Sequence, residues 1–189
     1  RDLSQFKRWY TEAGTPRLKV FEAWSPGAQG GTYTLTFHQE NPATPGQAEK
    51  GAKVIPISVG LLNPNGDEVV PTTVLEMTKP VQSFFFDGLA AKPVPSILRG
   101  FSAPVVLERS VPAAERAFLL AHDSDPFNRW EAGRALAKDV LARMITDGAE
   151  PLPDLLDGLA RLAFDDGLDP AFRALALRLR GQGILRRFE

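Results

Sequence analysis

Only two histidines, His38 and His122, could supply imidazole chemistry, and there is no cysteine to supply a thiolate. His38 opens the run His38-Gln39-Glu40-Asn41-Pro42, which lacks the second histidine of the His-Glu-x-x-His zinc signature. It falls on the polar face of an alternating stretch, so a solvated strand position is predicted. His122 closes a helical stretch, where a cation complements the helix dipole, and is read as a cap. Asp123-Ser124-Asp125 imitates the start of a calcium loop, but the glycine and distal glutamate of that loop are missing. Asp125-Pro126 and Asp169-Pro170 pair a capping side chain with a proline at the first helical position, so helix capping accounts for both. Asp165 and Asp166 fall in a turn before Gly167. Ser96 and Ser102 have no histidine at a useful spacing and no nucleophile-elbow glycines. Phe84-Phe85-Phe86 is predicted to be buried in a sheet core or against a neighbouring domain. Arg178, Arg180, Arg186 and Arg187 form a basic tail without interleaved aromatics, which reads as a solvated face. No catalytic, cofactor-binding or metal-binding residue is assigned from these patterns.

The elements that would hold these residues change character along the chain. Leu3, Phe6, Trp9, Tyr10 and Ala13 recur at helical spacing, which predicts a short amphipathic helix capped by Asp2 and ended by Gly14. Strands are predicted at 18–24, 33–39, 54–62, 73–77, 82–87 and 103–108, separated by Pro- and Gly-rich turns. Pro56 marks its strand as an edge or a bulge. Pro93, Pro95 and Pro104 remove backbone donors, so this stretch is read as a rigid crossing leading to a last strand. Short strands at this spacing, without a helix long enough to cross over, predict an antiparallel β-sandwich.

After Arg109 the prolines thin out and the period becomes helical. Helices are predicted from Pro112, from Pro126 to Gly148, over 153–164 and from Pro170. Their apolar stripes are Phe127, Trp130, Ala137, Val140, Leu141 and Met144 in the second, and Leu155, Leu156, Leu159 and Leu162 in the third. In the fourth they are Phe172, Leu175, Ala176 and Leu179. Short connections predict antiparallel stacking. The expected division is a short helix plus sandwich over 1–109 and a helical array over 110–189.

Composition excludes several classes of function. The 22 Lys+Arg balance 23 Asp+Glu for a net charge of −1, and neither half carries the basic surplus that a nucleic-acid partner requires. The apolar fraction of 43% is that of a folded globular chain, which excludes disorder. No run approaches the ~20 apolar residues of a membrane span, and residues 1–4 carry no signal-peptide pattern. The absence of cysteine fits a reducing compartment. A chain that begins in mid-pattern with Arg1 reads as a fragment.

Several stretches resemble bacterial aminopeptidase N: Asp2-Leu3-Ser4-Gln5-Phe6-Lys7-Arg8-Trp9-Tyr10, Ala13-Gly14-Thr15-Pro16, Tyr33-Thr34-Leu35-Thr36 and Pro42-Ala43-Thr44-Pro45. The densest is Pro93-Val94-Pro95-Ser96-Ile97-Leu98-Arg99-Gly100-Phe101-Ser102-Ala103-Pro104-Val105, followed by Phe127-Asn128-Arg129-Trp130-Glu131-Ala132. The resemblance implies a four-domain, zinc-dependent aminopeptidase in which this chain is the third, immunoglobulin-like domain and the start of a helical superhelix. It implies zinc in the parent enzyme, peptide substrates, a cytoplasmic bacterial setting and the catalytic domain of the same polypeptide as partner. The family's zinc helix and its Gly-Ala-Met-Glu-Asn segment do not occur here, so no catalytic or metal role is carried onto any position. The tail from Arg178 to Glu189 departs from the family pattern. A truncated array predicts self-association through an exposed helical face. A free-standing immunoglobulin-like binding module is the alternative reading.

Overall fold

The computed structural model describes residues 2–178. The chain divides into two compact units, Arg1–Ser110 and Val111–Glu189. The first contains α1 (Arg8–Thr11) and seven strands among the described residues: β1 (Arg17–Ser25), β2 (Gly31–Glu40), β3 (Ile55–Leu62), β4 (Glu68–Met77), β5 (Val81–Leu89), β6 (Val94–Ile97) and β7 (Val106–Glu108). They form a four-stranded sheet in the order β5-β2-β1-β7 and a three-stranded sheet in the order β4-β3-β6. It is a β-sandwich, because each strand has one apolar face and the two sheets bury those faces against one another. Leu18, Tyr33, Leu35 and Phe37 come from one sheet and Ile55, Ile57, Val59 and Met77 from the other, all fully buried.

The strict alternation of β2 follows from its residue types: Tyr33, Leu35 and Phe37 point inward while Thr34, Thr36 and His38 face out. The same rule corrects the expected burial of three consecutive phenylalanines. Phe84 and Phe86 pack on the core, and Phe85 is 65% exposed on the other face. The sheets are antiparallel except where β7 joins β1 in parallel. The crossover between these two strands is the rest of the sandwich rather than a helix.

Proline explains where strand boundaries differ from those expected. β3 lies in the middle of its sheet, yet β6 pairs only with Val59–Leu62, so the missing donor of Pro56 faces a locally open edge. Pro71 lies inside β4 and Pro95 inside β6, both edge strands, which is where a ladder tolerates a lost donor. The stretch after Pro93, expected from its prolines to be a crossing, contains the strand β6. A 3-10 turn, Arg99–Phe101, then carries the chain to β7, with Leu98 and Phe101 at positive φ of 60° and 54°.

The N-terminal helix is shorter than its apolar spacing predicts. Residues 4–7 form turns, and Leu3, Phe6 and Tyr10 stay exposed. Trp9 packs on the core, and polar bonds fix the rest of the segment.

The second unit contains α2 (Ala113–His122), α3 (Pro126–Asp147), α4 (Pro153–Ala163) and α5 (Pro170–Ala176). Asp125 and Asp169 cap α3 and α5 as read from sequence, each accepting a backbone N–H at 2.9 Å, from Asn128 and Phe172. Gly148 ends α3 at φ 63°. The buried stripe of α3 is Arg129, Ala132, Gly133, Leu136, Ala137 and Val140, and Phe127 stays exposed. This corrects the stripe drawn through Phe127 and Trp130: close helix approach selects small residues that a hydrophobicity pattern passes over. Leu179 and the arginines at 180, 186 and 187 lie outside the described residues.

Candidate functional site in the helical unit

Polar groups that are both buried and paired locate what each unit does with its charge. In the sandwich, Lys53 is 1% exposed, and its ammonium donates to the carbonyls of Arg8 at 2.9 Å and Glu12 at 3.1 Å. The same ammonium lies 5.2 Å from the Trp9 ring centre. The Gln39 amide bridges the Lys53 backbone in both directions, and the Trp9 indole donates to the Val54 carbonyl at 2.7 Å. These bonds tie α1 to the end of the sandwich. The Glu12 carbonyl at the helix end is satisfied by the Lys53 side chain, and the Arg8 carbonyl accepts from Lys53 in addition to the Glu12 N–H.

A second cluster surrounds Arg99, which is 4% exposed. Its guanidinium donates to the Ser96 hydroxyl at 2.9 Å and the Thr72 hydroxyl at 2.9 Å, and it pairs with Glu68. It lies flat over Gly60, where an added Cβ would overlap it. Ser102 accepts from the Ser58 N–H at 2.9 Å along the stretch of β3 that β6 does not reach. Both serines weighed as nucleophiles are therefore hydrogen-bonding struts. In a third cluster, Glu22 accepts from Tyr33 Oη at 2.6 Å and from Arg109 Nε at 2.6 Å. Burial raises the Glu22 pKa, and the Arg109 and Tyr33 bonds with the Arg109 and Lys92 charges outweigh it, leaving the carboxyl below its ordinary value.

His38 packs against Phe21 on the outer sheet face, with ring centres 4.8 Å apart and the planes tilted by 54°. In the turn after α4, Asp165 is held by Arg129 at 3.2 Å and Asp166 by Arg173 at 3.3 Å. Asp123 accepts from the Asp125 N–H at 3.0 Å. Arg129 also donates to the carbonyls of Leu120 at 2.8 Å and Ala121 at 3.3 Å. Arg129 therefore caps α2, which corrects the capping role read for His122. Burial, then the charges of Arg161 and Arg129, lower the His122 pKa and disfavour the imidazolium.

His122 instead lines a groove of about 250 Å³ between α2 and α4. Ala114, Ala117 and Ala121 form one wall, and Asp154, Asp157 and Arg161 project along the other. Phe118 lies against His122 at 4.8 Å. Sequence patterns did not bring these residues together, because the contact between α2 and α4 spans the whole of α3. Among the described residues no three His, Cys, Asp or Glu side chains converge as a cation site, so the residues present do not fit a zinc ion.

Residues 14–110, over half of the chain, match the family described as a domain of unknown function, DUF3458, with an Ig-like fold. The chain belongs to the DUF3458 family. Residues 113–188 match its companion domain, described as ARM repeats. Aminopeptidase N of Escherichia coli is 35% identical over 94% of this chain, and that of Caulobacter vibrioides is 39% identical over 95%. The chain spans only 22% and 21% of those relatives. Crystalline Legionella pneumophila aminopeptidase A, in complex with aspartic acid, superimposes with a TM-score of 0.81 at 29% identity. That match covers 95% of this DUF3458 chain and 20% of the neighbour. The DUF3458 pair thus corresponds to the Ig-like and helical portion of aminopeptidase N-like proteins.

Proposed function

We propose that this chain is a non-catalytic structural segment of a longer zinc-dependent aminopeptidase that removes N-terminal residues from peptides. The observation that carries this reading is the alignment of an Ig-like unit and an ARM-repeat unit, in that order, with about one fifth of aminopeptidase N. The fate of the buried charges supports it. Lys53, Arg99 and Arg129 are committed to carbonyls, hydroxyls and carboxylates of their own unit, an arrangement that holds geometry rather than one poised for proton transfer.

On this reading residues 1–109 are a spacer, and residues 110–189 belong to a helical wall. The partner of both is the catalytic domain of the same polypeptide, which supplies the zinc and meets the peptide substrate. We place the protein in the bacterial cytoplasm, on the absence of cysteine and the bacterial relatives. No helix among the described residues is long and apolar enough to cross a membrane. Leu175 of α5 is 52% exposed, which supports self-association of the isolated chain through that face. The test is the coding sequence upstream of Arg1. A continuous frame encoding His-Glu-x-x-His is expected, and a frame without it would overturn the assignment.

A further inference from the structure

The groove between α2 and α4 has an acidic end and a basic end. Asp154 stands in the first turn of α4, Asp157 follows one turn later, and Arg161 lies one turn beyond that. Residues Asp157 and Arg161 have the i,i+4 spacing at which opposite charges ordinarily pair on a helix. Here they do not. Among the described residues Asp154, Asp157 and Arg161 make no hydrogen bond or ion pair, whereas Arg116, Arg129, Arg134 and Arg173 of the same unit all do. The opposite wall keeps the groove open, because Ala114, Ala117 and Ala121 project nothing beyond a methyl group into it. The neutral ring of His122 and the face of Phe118 border the basic end.

Asp157 and Asp154 lie four and seven residues before Arg161, about 6 Å and about 10 Å along the helix axis, so the far acidic end of the groove is about 10 Å from the arginine. Three residues of extended chain also span about 10 Å. A free tripeptide carries an ammonium at one end and a carboxylate at the other, so its two charges match the two ends of the groove in sign and separation.

We propose that this groove binds a short zwitterionic peptide of about three residues, its ammonium at Asp154 and Asp157 and its carboxylate at Arg161. Exposed charges and a volume of about 250 Å³ suit a weak, fragment-sized ligand. Both charges of the ligand are needed, since each end of the groove recognises one of them. The site stands apart from the structural role proposed above and does not depend on it.

The test is a titration of the 189-residue chain with trialanine, followed by backbone amide shifts. Saturable shifts at Ala117, Ala121 and Gly158 are expected at millimolar peptide. The paired substitutions Asp154→Asn and Asp157→Asn should weaken binding about fivefold, as should Arg161→Met, because each removes a charged contact at the surface of the fold. N-acetyl-trialanine and trialanine amide should each bind at least as poorly as those variants. No shift in the groove, shifts centred elsewhere, or equal binding of the capped peptides would overturn the proposal.

Discussion

Arg99 shows how one side chain can hold two segments together. It reaches from the turn after β6 to Glu68 and Thr72 on β4, crossing the bare backbone of Gly60 on β3. Arg99→Met removes charge-assisted bonds and leaves buried acceptors behind, so a loss of about 2 kcal/mol is expected in urea unfolding. Gly60→Ala should cost a similar amount, and the double variant should cost less than the sum, because each displaces the same guanidinium. Sequence reading gave the arginine no role, since spacing does not reveal which charged residues turn inward. The only available sign was a lone cation in an apolar run between prolines.

His122 carries the pH prediction. Its folded pKa is lowered, by burial first and by the Arg161 and Arg129 charges next, with Asp154 and Asp157 also facing the groove. The unfolded chain therefore binds the proton first as pH falls. The contribution is present above the unfolded value of 6.5 and is lost as pH falls through the lower folded value. The helical unit should lose stability as pH falls from neutral through 6.5 and below, and His122→Gln should flatten that dependence. A steeper dependence in the variant would contradict the sign.

At the scale of elements, the helical unit is organised around Leu120, which is 1% exposed. Gly133 of α3 and Gly158 of α4 close on it from two sides, and a Cβ added at either would stand 2.8 Å from a Leu120 methyl. Alanine in a helix is favoured over glycine by about 1 kcal/mol, but overpacking a closed site costs about 1–3 kcal/mol. Gly158→Ala is therefore expected to destabilise by about 1 kcal/mol and to become stabilising in a Leu120→Ala background. Thermal unfolding of the two single variants and the double variant checks the reversal of sign.

The same elements show what the sequence made legible. The alternation of β2 and the caps Asp125 and Asp169 were readable because each depends on residues adjacent in the chain. The strand β6 was not, because a proline that excludes a central strand still permits an edge one. Neither was the α3 stripe, in which Gly133 and Arg129 outrank Phe127. There the neighbours across the interface decide, and they come from α2 and α4.

Across the whole molecule, the two units each carry their own apolar core, one built from the facing sheets and one from α2, α3 and α4. That core-by-core organisation suits the structural role proposed for the segment. The reading of family resemblance reached the same place from short motifs, while the α2–α4 groove was invisible to it, since pairing α2 with α4 requires the fold.

The most direct measurement of a non-catalytic role is hydrolysis of an alanyl chromogenic substrate by the purified 189-residue chain with added zinc. No turnover above a zinc-and-buffer blank is expected, and zinc should leave the unfolding midpoint unchanged. Turnover that follows the chain through successive purification steps, together with a zinc-dependent rise in that midpoint, would contradict it.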